Sequence, residues 1–190
     1  MRRLISSTLL SLDGVIGDPT AWVGALFDER AARSAGEQLL AGDAMLMGRR
    51  TYEIFSALWS GADDDYAAIV NTMRKYVFSS TLDRADWQNT TIIREDPVSA
   101  VAKLKAQDGK DLIMYGHGQL GAALLDSGLF DELRFAVHPV MVGRGATLLR
   151  EEHSARLELL GATTLDTGVV VLRYRPAGSS DDPSESRIAG

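Results

Sequence analysis

Three short stretches of this 190-residue chain place glycine, hydroxyl or basic residues where a strand gives way to a helix. In MGRRTY (47–52), Gly48 ends an apolar strand, and Arg49, Arg50 and Thr51 open a helical pattern. Free backbone N–H groups and the positive helix end suit an anion there, and an arginine adds bidentate phosphate contacts. Solvated arginines after a glycine turn are the competing reading, but basic residues at a helix start oppose the dipole and suggest another use. In VFSSTL (77–82), Ser79, Ser80 and Thr81 sit at a strand end, where hydroxyls either cap the next turn or meet a phosphate. In YGHGQLG (115–121), Gly116, Gly118 and Gly121 match G-x-G-x-x-G after the strand DLIMY. A Rossmann unit would also need an acidic residue about 20 residues on, near the end of the next strand. Asp131 and Glu132 arrive before that strand, and antiparallel strands follow it. The glycine turn survives this objection, and the Rossmann domain does not.

Other chemistry is thinner. His117, His138 and His153 show no metal-ligand spacing with one another or with carboxylates. Asp63-Asp64-Asp65 reads as a helix start. Phe55 and Trp59, at i and i+4 on one helix face, either fill a core or stack on a flat heterocycle.

The elements that must position these residues follow from periodicity. Strands are expected at 2–12, 44–47, 75–80, 90–94 and 111–115, and helices from 28, 49, 67, 97 and 119, the last stopping at Gly128. Asp96-Pro97 supplies an N-cap and a first-turn proline. Beyond Gly128, ELRFAVHPVMVG, ARLELLGATTL and VVVLRYR are strand-like, with no helix of useful length between them. This order predicts a three-layer α/β/α domain over 1–176 with a mixed central sheet. That sheet is parallel in the first two-thirds, with antiparallel C-terminal strands. The long apolar strands of the last third, VVVLRYR included, are expected at the sheet's edge, where they invite a second copy of the chain, so a homodimer is predicted. Residues 177–190 contain one large apolar side chain and are expected to be a disordered tail.

Composition bounds the function class. Twenty basic against 26 acidic residues leave a net charge of −6, which argues against a general nucleic-acid or anionic-membrane binder. No cysteine is present, so disulfides, thiolate catalysis and Cys-ligated zinc are excluded. No apolar run approaches the roughly 18 residues of a membrane span. The opening MRRLISSTLLSLDG is interrupted by Ser6, Ser7, Thr8 and Ser11 and reads as a first strand, not a leader. A cytoplasmic enzyme or binding domain is the expectation.

In this order and at these spacings, SLDGVIG (11–17), LMGRRTYEIF (46–55), KYVFSSTL (75–82), YGHGQL (115–120) and LFDELRFAVHPVMVGRGATLL (129–149) resemble the dihydrofolate reductase-like superfamily. More narrowly, they resemble stand-alone homologues of the C-terminal reductase domain of the riboflavin-biosynthesis deaminase–reductase. The resemblance implies NADPH along the carboxyl edge of the sheet. Gly48, Arg49, Arg50 and Thr51 would hold cofactor phosphates, and Ser79, Ser80 and Thr81 would surround the adenosine 2′-phosphate. Gly116, His117, Gly118, Gln119 and Leu120 would face the pyrophosphate and the nicotinamide half. It further implies that Asp13 borders the substrate, as a contact or a proton donor, although Asp-Gly is also an ordinary turn. Trp22, Asp28, Phe55 and Trp59 complete the expected substrate side, with Asp28 equally suited to cap a helix. Dihydrofolate reductases carry consecutive glycines at the turn and a pterin carboxylate on the first helix. This chain has Gly116-His117-Gly118 and, at the matching helix position, Ala32. The implied activity is reduction of a ribosylaminopyrimidine phosphate or a related heterocycle, with cofactor binding without turnover, or dihydrofolate reduction, as alternatives.

Overall fold

The computed structural model describes residues 1–148 and 155–177. His153 and residues 178–190 of the expected 177–190 tail lie outside the described residues, while Ala177 donates its N–H to Arg156 O (2.9 Å). The strands are β1 (Leu4–Ser11), β2 (Gly42–Gly48), β3 (Arg74–Phe78), β4 (Thr90–Ile93), β5 (Asp111–Tyr115), β6 (Glu132–His138), β7 (Leu157–Thr164) and β8 (Val170–Pro176). The helices are α1 (Glu29–Leu40), α2 (Arg49–Trp59), α3 (Asp65–Thr72), α4 (Pro97–Ala106) and α5 (Gly118–Asp126). Among the described residues, no helix is long and apolar enough to cross a membrane.

Local chemistry accounts for the helix starts. Asp28, Asp64 and Asp96 each accept a backbone N–H three residues on, from Ala31 (2.8 Å), Ala67 (2.9 Å) and Ser99 (2.8 Å). Each bond satisfies one of the donors that a helix leaves unpaired at its first turn.

Among the described residues, the eight strands join one sheet in the order β4-β3-β2-β5-β1-β6-β8-β7. The first six are parallel to their neighbours, whereas β8 runs antiparallel to both β6 and β7. The mixed three-layer architecture expected from the sequence is therefore present. One placement differs: VVVLRYR forms β8, the penultimate strand, and the edge belongs to β7. The hairpin returns β7 along the outer side of β8, which removes the edge role expected for VVVLRYR.

Two apolar layers flank the sheet. On one face Leu4, Leu46, Leu112 and Met114 pack under α4 and α5. On the other, Ile5, Met45, Met47 and Ile113 pack with Leu39, Tyr52 and Val70 from α1, α2 and α3. The crossover from β1 to β2 skips the β5 position, and that from β5 to β6 crosses β1. The carboxyl ends of β1 and β5 thus lie where chain connections diverge to opposite faces, which is where open α/β sheets leave a crevice for ligands.

Candidate functional site

The three glycine- and hydroxyl-bearing junctions meet at this carboxyl edge. β2 delivers Gly48, whose extended backbone precedes α2, and β5 beside it delivers Gly116. Gly116 has φ +71°, and a Cβ added there would come 2.5 Å from Thr51 Oγ1. Only glycine lets the turn after β5 pass so close to the first turn of α2. On the other side, the Arg49 guanidinium donates from Nη1 to Thr81 Oγ1 (2.9 Å) and from Nε to Glu53 Oε1 (2.6 Å). Arg50 is exposed. Ser79 is committed locally, its Oγ accepting from Thr81 N (3.2 Å) and Leu82 N (3.0 Å), while Ser80 is exposed. At the glycine turn, His117 stacks nearly parallel to Phe130, with centroids 6.4 Å apart. Its ring also occupies the space a Cβ at Gly121 would need, 2.6 Å from Nδ1. Gln119 is exposed and Leu120 packs against the core. The turn therefore offers chiefly backbone, from Gly116 to Gly118, toward a ligand.

On the substrate side, Asp13, Trp22 and Asp28 each hydrogen-bond within the protein. Asp13 accepts from Ser11 Oγ (2.6 Å), Val142 N (3.0 Å) and Gly143 N (2.6 Å). The Ser11 hydroxyl and these two backbone amides hold its carboxyl down at about 2. At neutral pH Asp13 is an ionised clamp between two loops. The clamp is extended by Ile16 N to Ala146 O (2.8 Å) and Leu148 N to Gly14 O (2.9 Å). Trp22 donates to Gly17 O (3.0 Å) and meets His138 edge-on at 5.4 Å. His138 is buried with Nδ1 against Ala136 O (2.8 Å), and burial lowers its pKa. Asp28 caps α1, the second of the two roles its position allowed, with Oδ1 accepting from Ala31 N (2.8 Å). Trp59 packs edge-to-face on Tyr66 at 5.0 Å and, with Asp28, lines a groove of about 630 Å³ between α1 and α3. Its ring also meets Phe27, with centroids 6.3 Å apart. Phe55 lies 5.1 Å from Tyr115, the residue just before the glycine turn. Of the expected aromatic contacts, Phe55 is the one adjoining that turn.

The family model for the RibD C-terminal domain matches residues 2–171. The chain belongs to the RibD C-terminal domain family. Among curated relatives, the uncharacterized protein YyaP of Bacillus subtilis (strain 168) is 29% identical over 180 residues, covering 91% of this chain and 94% of YyaP. YwjB of the same organism is 24% identical over 166 residues, covering 84% and 90%. A candidate riboflavin biosynthesis protein from Shewanella sp. PV-4 shares the fold at TM-score 0.73 and 20% identity, covering 94% of this chain and all of that one. The Thermotoga maritima deaminase/5-amino-6-(5-phosphoribosylamino)uracil reductase shares it at TM-score 0.64 and 15% identity, covering 93% of this chain and 57% of that one. The RibD reductase family is an oxidoreductase family of the riboflavin pathway that uses a nicotinamide cofactor.

In this RibD C-terminal domain, one residue of the candidate edge escapes the sequence patterns. Arg94, just past β4, donates to Ser80 O (3.2 Å) and Leu82 O (2.7 Å), wrapping the serine loop from beyond β3. Arg94 and Arg49 thus bracket the loop 79–82 from two sides. The signal available was the arginine closing TTIIR, but nothing local says that β4 lies beside β3.

Proposed function

We propose that this chain is an NADPH-dependent reductase, resembling the 5-amino-6-(5-phosphoribosylamino)uracil reductase of riboflavin biosynthesis. It would transfer hydride to a small heterocyclic or ribosyl acceptor. The carrying observation is the convergence of three junctions on one strand-end crevice, through the Gly116–Thr51 approach and the Arg49–Thr81 hydrogen bond. The donor set fits a phosphorylated dinucleotide. A Cβ built on Gly118 would meet nothing within 4 Å, which leaves the glycine turn open to a pyrophosphate, α2 presents its N-terminus, and two guanidiniums flank the hydroxyl loop. Bound there, the nicotinamide would supply the hydride. Gly116 to Gly118 would position it, Arg49 and Arg94 would hold the adenosine phosphate, and the loops joined by Asp13 would exclude water at its side.

A second reading, a cofactor-binding module without turnover, is carried by Asp13, whose carboxylate is occupied by Ser11 Oγ, Val142 N and Gly143 N. Steady consumption of NADPH on addition of a ribosylaminopyrimidine phosphate supports the reductase. Tight NADPH binding with only the uncatalysed rate, across a panel of heterocyclic and ribosyl acceptors, supports the module. No NADPH binding at all overturns both. The same reading includes a cytoplasmic homodimer joined through the exposed edge β7, and sedimentation showing monomer alone at micromolar concentration refutes the dimer.

A further inference from the structure

Register pairing aligns Met47, Tyr115, Ser7, Arg134, Arg173 and Gly161 in one row across six strands. Directly paired residues share a face, and Met47 and Tyr115 place this row on the α1–α3 side. The row lies one residue before Gly48 and Gly116, just below the candidate cofactor edge. At its Tyr115 end, the ring of Phe55 covers the sheet. At its far end, a Cβ built on Gly161 would meet nothing within 4 Å.

Between these ends two arginines stand directly opposite on an antiparallel ladder, an arrangement that is unfavourable for like charges. Glu132, 3% exposed, compensates one of them: its Oε1 accepts from Arg134 Nε and from Arg173 Nε, each at 2.7 Å. Arg3 is the next cation, but it is bonded to Asp111 (3.2 and 2.5 Å) and stands 3.9 Å from Glu132. One positive charge remains in excess on the Arg134–Arg173 pair, and the Arg134 side chain is only 17% exposed. Both arginines spend Nε on the same carboxylate oxygen. Their terminal nitrogens make no hydrogen bond among the described residues. Two guanidinium forks with a sheltered excess charge are a receptor for an oxyanion, and Ser7 adds a hydroxyl beside them.

We propose that Arg134 and Arg173, with Ser7, form an oxyanion-binding site for the acidic end of the acceptor. The acceptor assignment rests on the reductase reading, whereas the anion site stands on the row itself. Arg134 is two strands from Tyr115, or about 10 Å. A molecule reaching from Gly116 to the arginines is therefore an extended small molecule bearing a phosphate or a carboxylate, not a bare heterocycle.

The test titrates inorganic phosphate and, separately, acetate into the full chain and into Arg134→Gln, Arg173→Gln and Arg94→Met, at fixed ionic strength. NADPH binding is measured on each protein in parallel. Loss of charge-assisted hydrogen bonds predicts phosphate binding about 10- to 100-fold weaker in the two row variants, with NADPH affinity within about twofold of the parent. Arg94→Met, at the separate edge, leaves this phosphate site intact. A matching loss for acetate points to a carboxylate-bearing acceptor, and a loss for phosphate alone points to a phosphate ester. Unchanged phosphate binding in the row variants, or a loss confined to Arg94→Met, overturns the proposal. Should Arg134→Gln fail to fold, Arg173→Gln decides alone, since Arg173 is 45% exposed. Failure of the parent to bind NADPH would sink the reductase reading while leaving the anion result to stand or fall by itself.

Discussion

Replacing Arg49 by alanine should separate NADPH from NADH. The two cofactors differ by one phosphate on the adenosine ribose, so a residue that reads that phosphate affects only one of them. Arg49 reaches the serine loop through Thr81 Oγ1 (2.9 Å), which puts its charge where the 2′-phosphate is proposed to sit. Losing a hydrogen bond to a charged group costs about 1.5–3 kcal/mol, or about 10- to 150-fold in affinity. The fold should hardly notice. The Arg49–Glu53 pair is an exposed i,i+4 ion pair, with side chains 48% and 49% accessible, and such pairs contribute only about 0.3–0.5 kcal/mol. Glu53 supplies an internal control of opposite sign. Its carboxylate partly neutralises Arg49, so Glu53→Gln should tighten NADPH binding about two- to fivefold and leave NADH unchanged. The assay is direct titration of both cofactors into parent, Arg49→Ala and Glu53→Gln proteins, read as ratios of dissociation constants. Equal losses for NADPH and NADH in Arg49→Ala would move Arg49 to the shared pyrophosphate. No loss for either, together with no gain in Glu53→Gln, would refute the placement of the phosphate at this edge.

Three further outcomes follow from particular contacts. Gly116→Ala forces a Cβ onto a residue at φ +71° and 2.5 Å from Thr51 Oγ1, at a cost of about 1–2 kcal/mol; thermal melts should drop by roughly 2–8 °C, and NADPH binding should fall with them. Lys75 is fully buried, its Nζ donating to Asn71 O (3.3 Å), Met73 O (2.8 Å) and Gln88 O (3.2 Å), and burial lowers its pKa from 10.5 to about 8. Between those values the unfolded chain binds more protons than the folded one, so Lys75 makes stability rise with pH across that window, by at most ~3 kcal/mol. Denaturant unfolding of Lys75→Met at pH 7.5 and 10.5 (about the window's ends) should lose that rise, and an unchanged difference between the two pH values would refute it. Asp13→Asn removes the ionised acceptor for Val142 N and Gly143 N. Hydrogen exchange at those two amides should accelerate while NADPH affinity stays near the parent value, and protection that persists would show that the loops are held together without Asp13.

Local chemistry carried much of this protein into view. Asp28, Asp64 and Asp96 announce their helices because a cap acts over three residues, a distance the sequence itself displays. Hydrophobic period separated strands from helices for the same reason, and the antiparallel character of the last third followed from strands without intervening helices. The three junctions at Gly48, Ser79 and Gly116 were legible as residue types at strand ends. Their meeting was not, because it depends on β5 inserting between β2 and β1, and strand order leaves no local trace. The same limit hid Arg94, whose partners lie on another strand's loop, and placed VVVLRYR at an edge that β7 occupies. Asp13 shows the limit most sharply. In the sequence it is an acid beside a glycine, open to a substrate contact, a proton-delivery role or an ordinary turn. In the fold, backbone amides from Val142 and Gly143 close on it, and hydrogen bonds to a carboxylate stabilise its charged form. Residue type set what Asp13 could do; packing between distant segments decided which of those chemistries it retains.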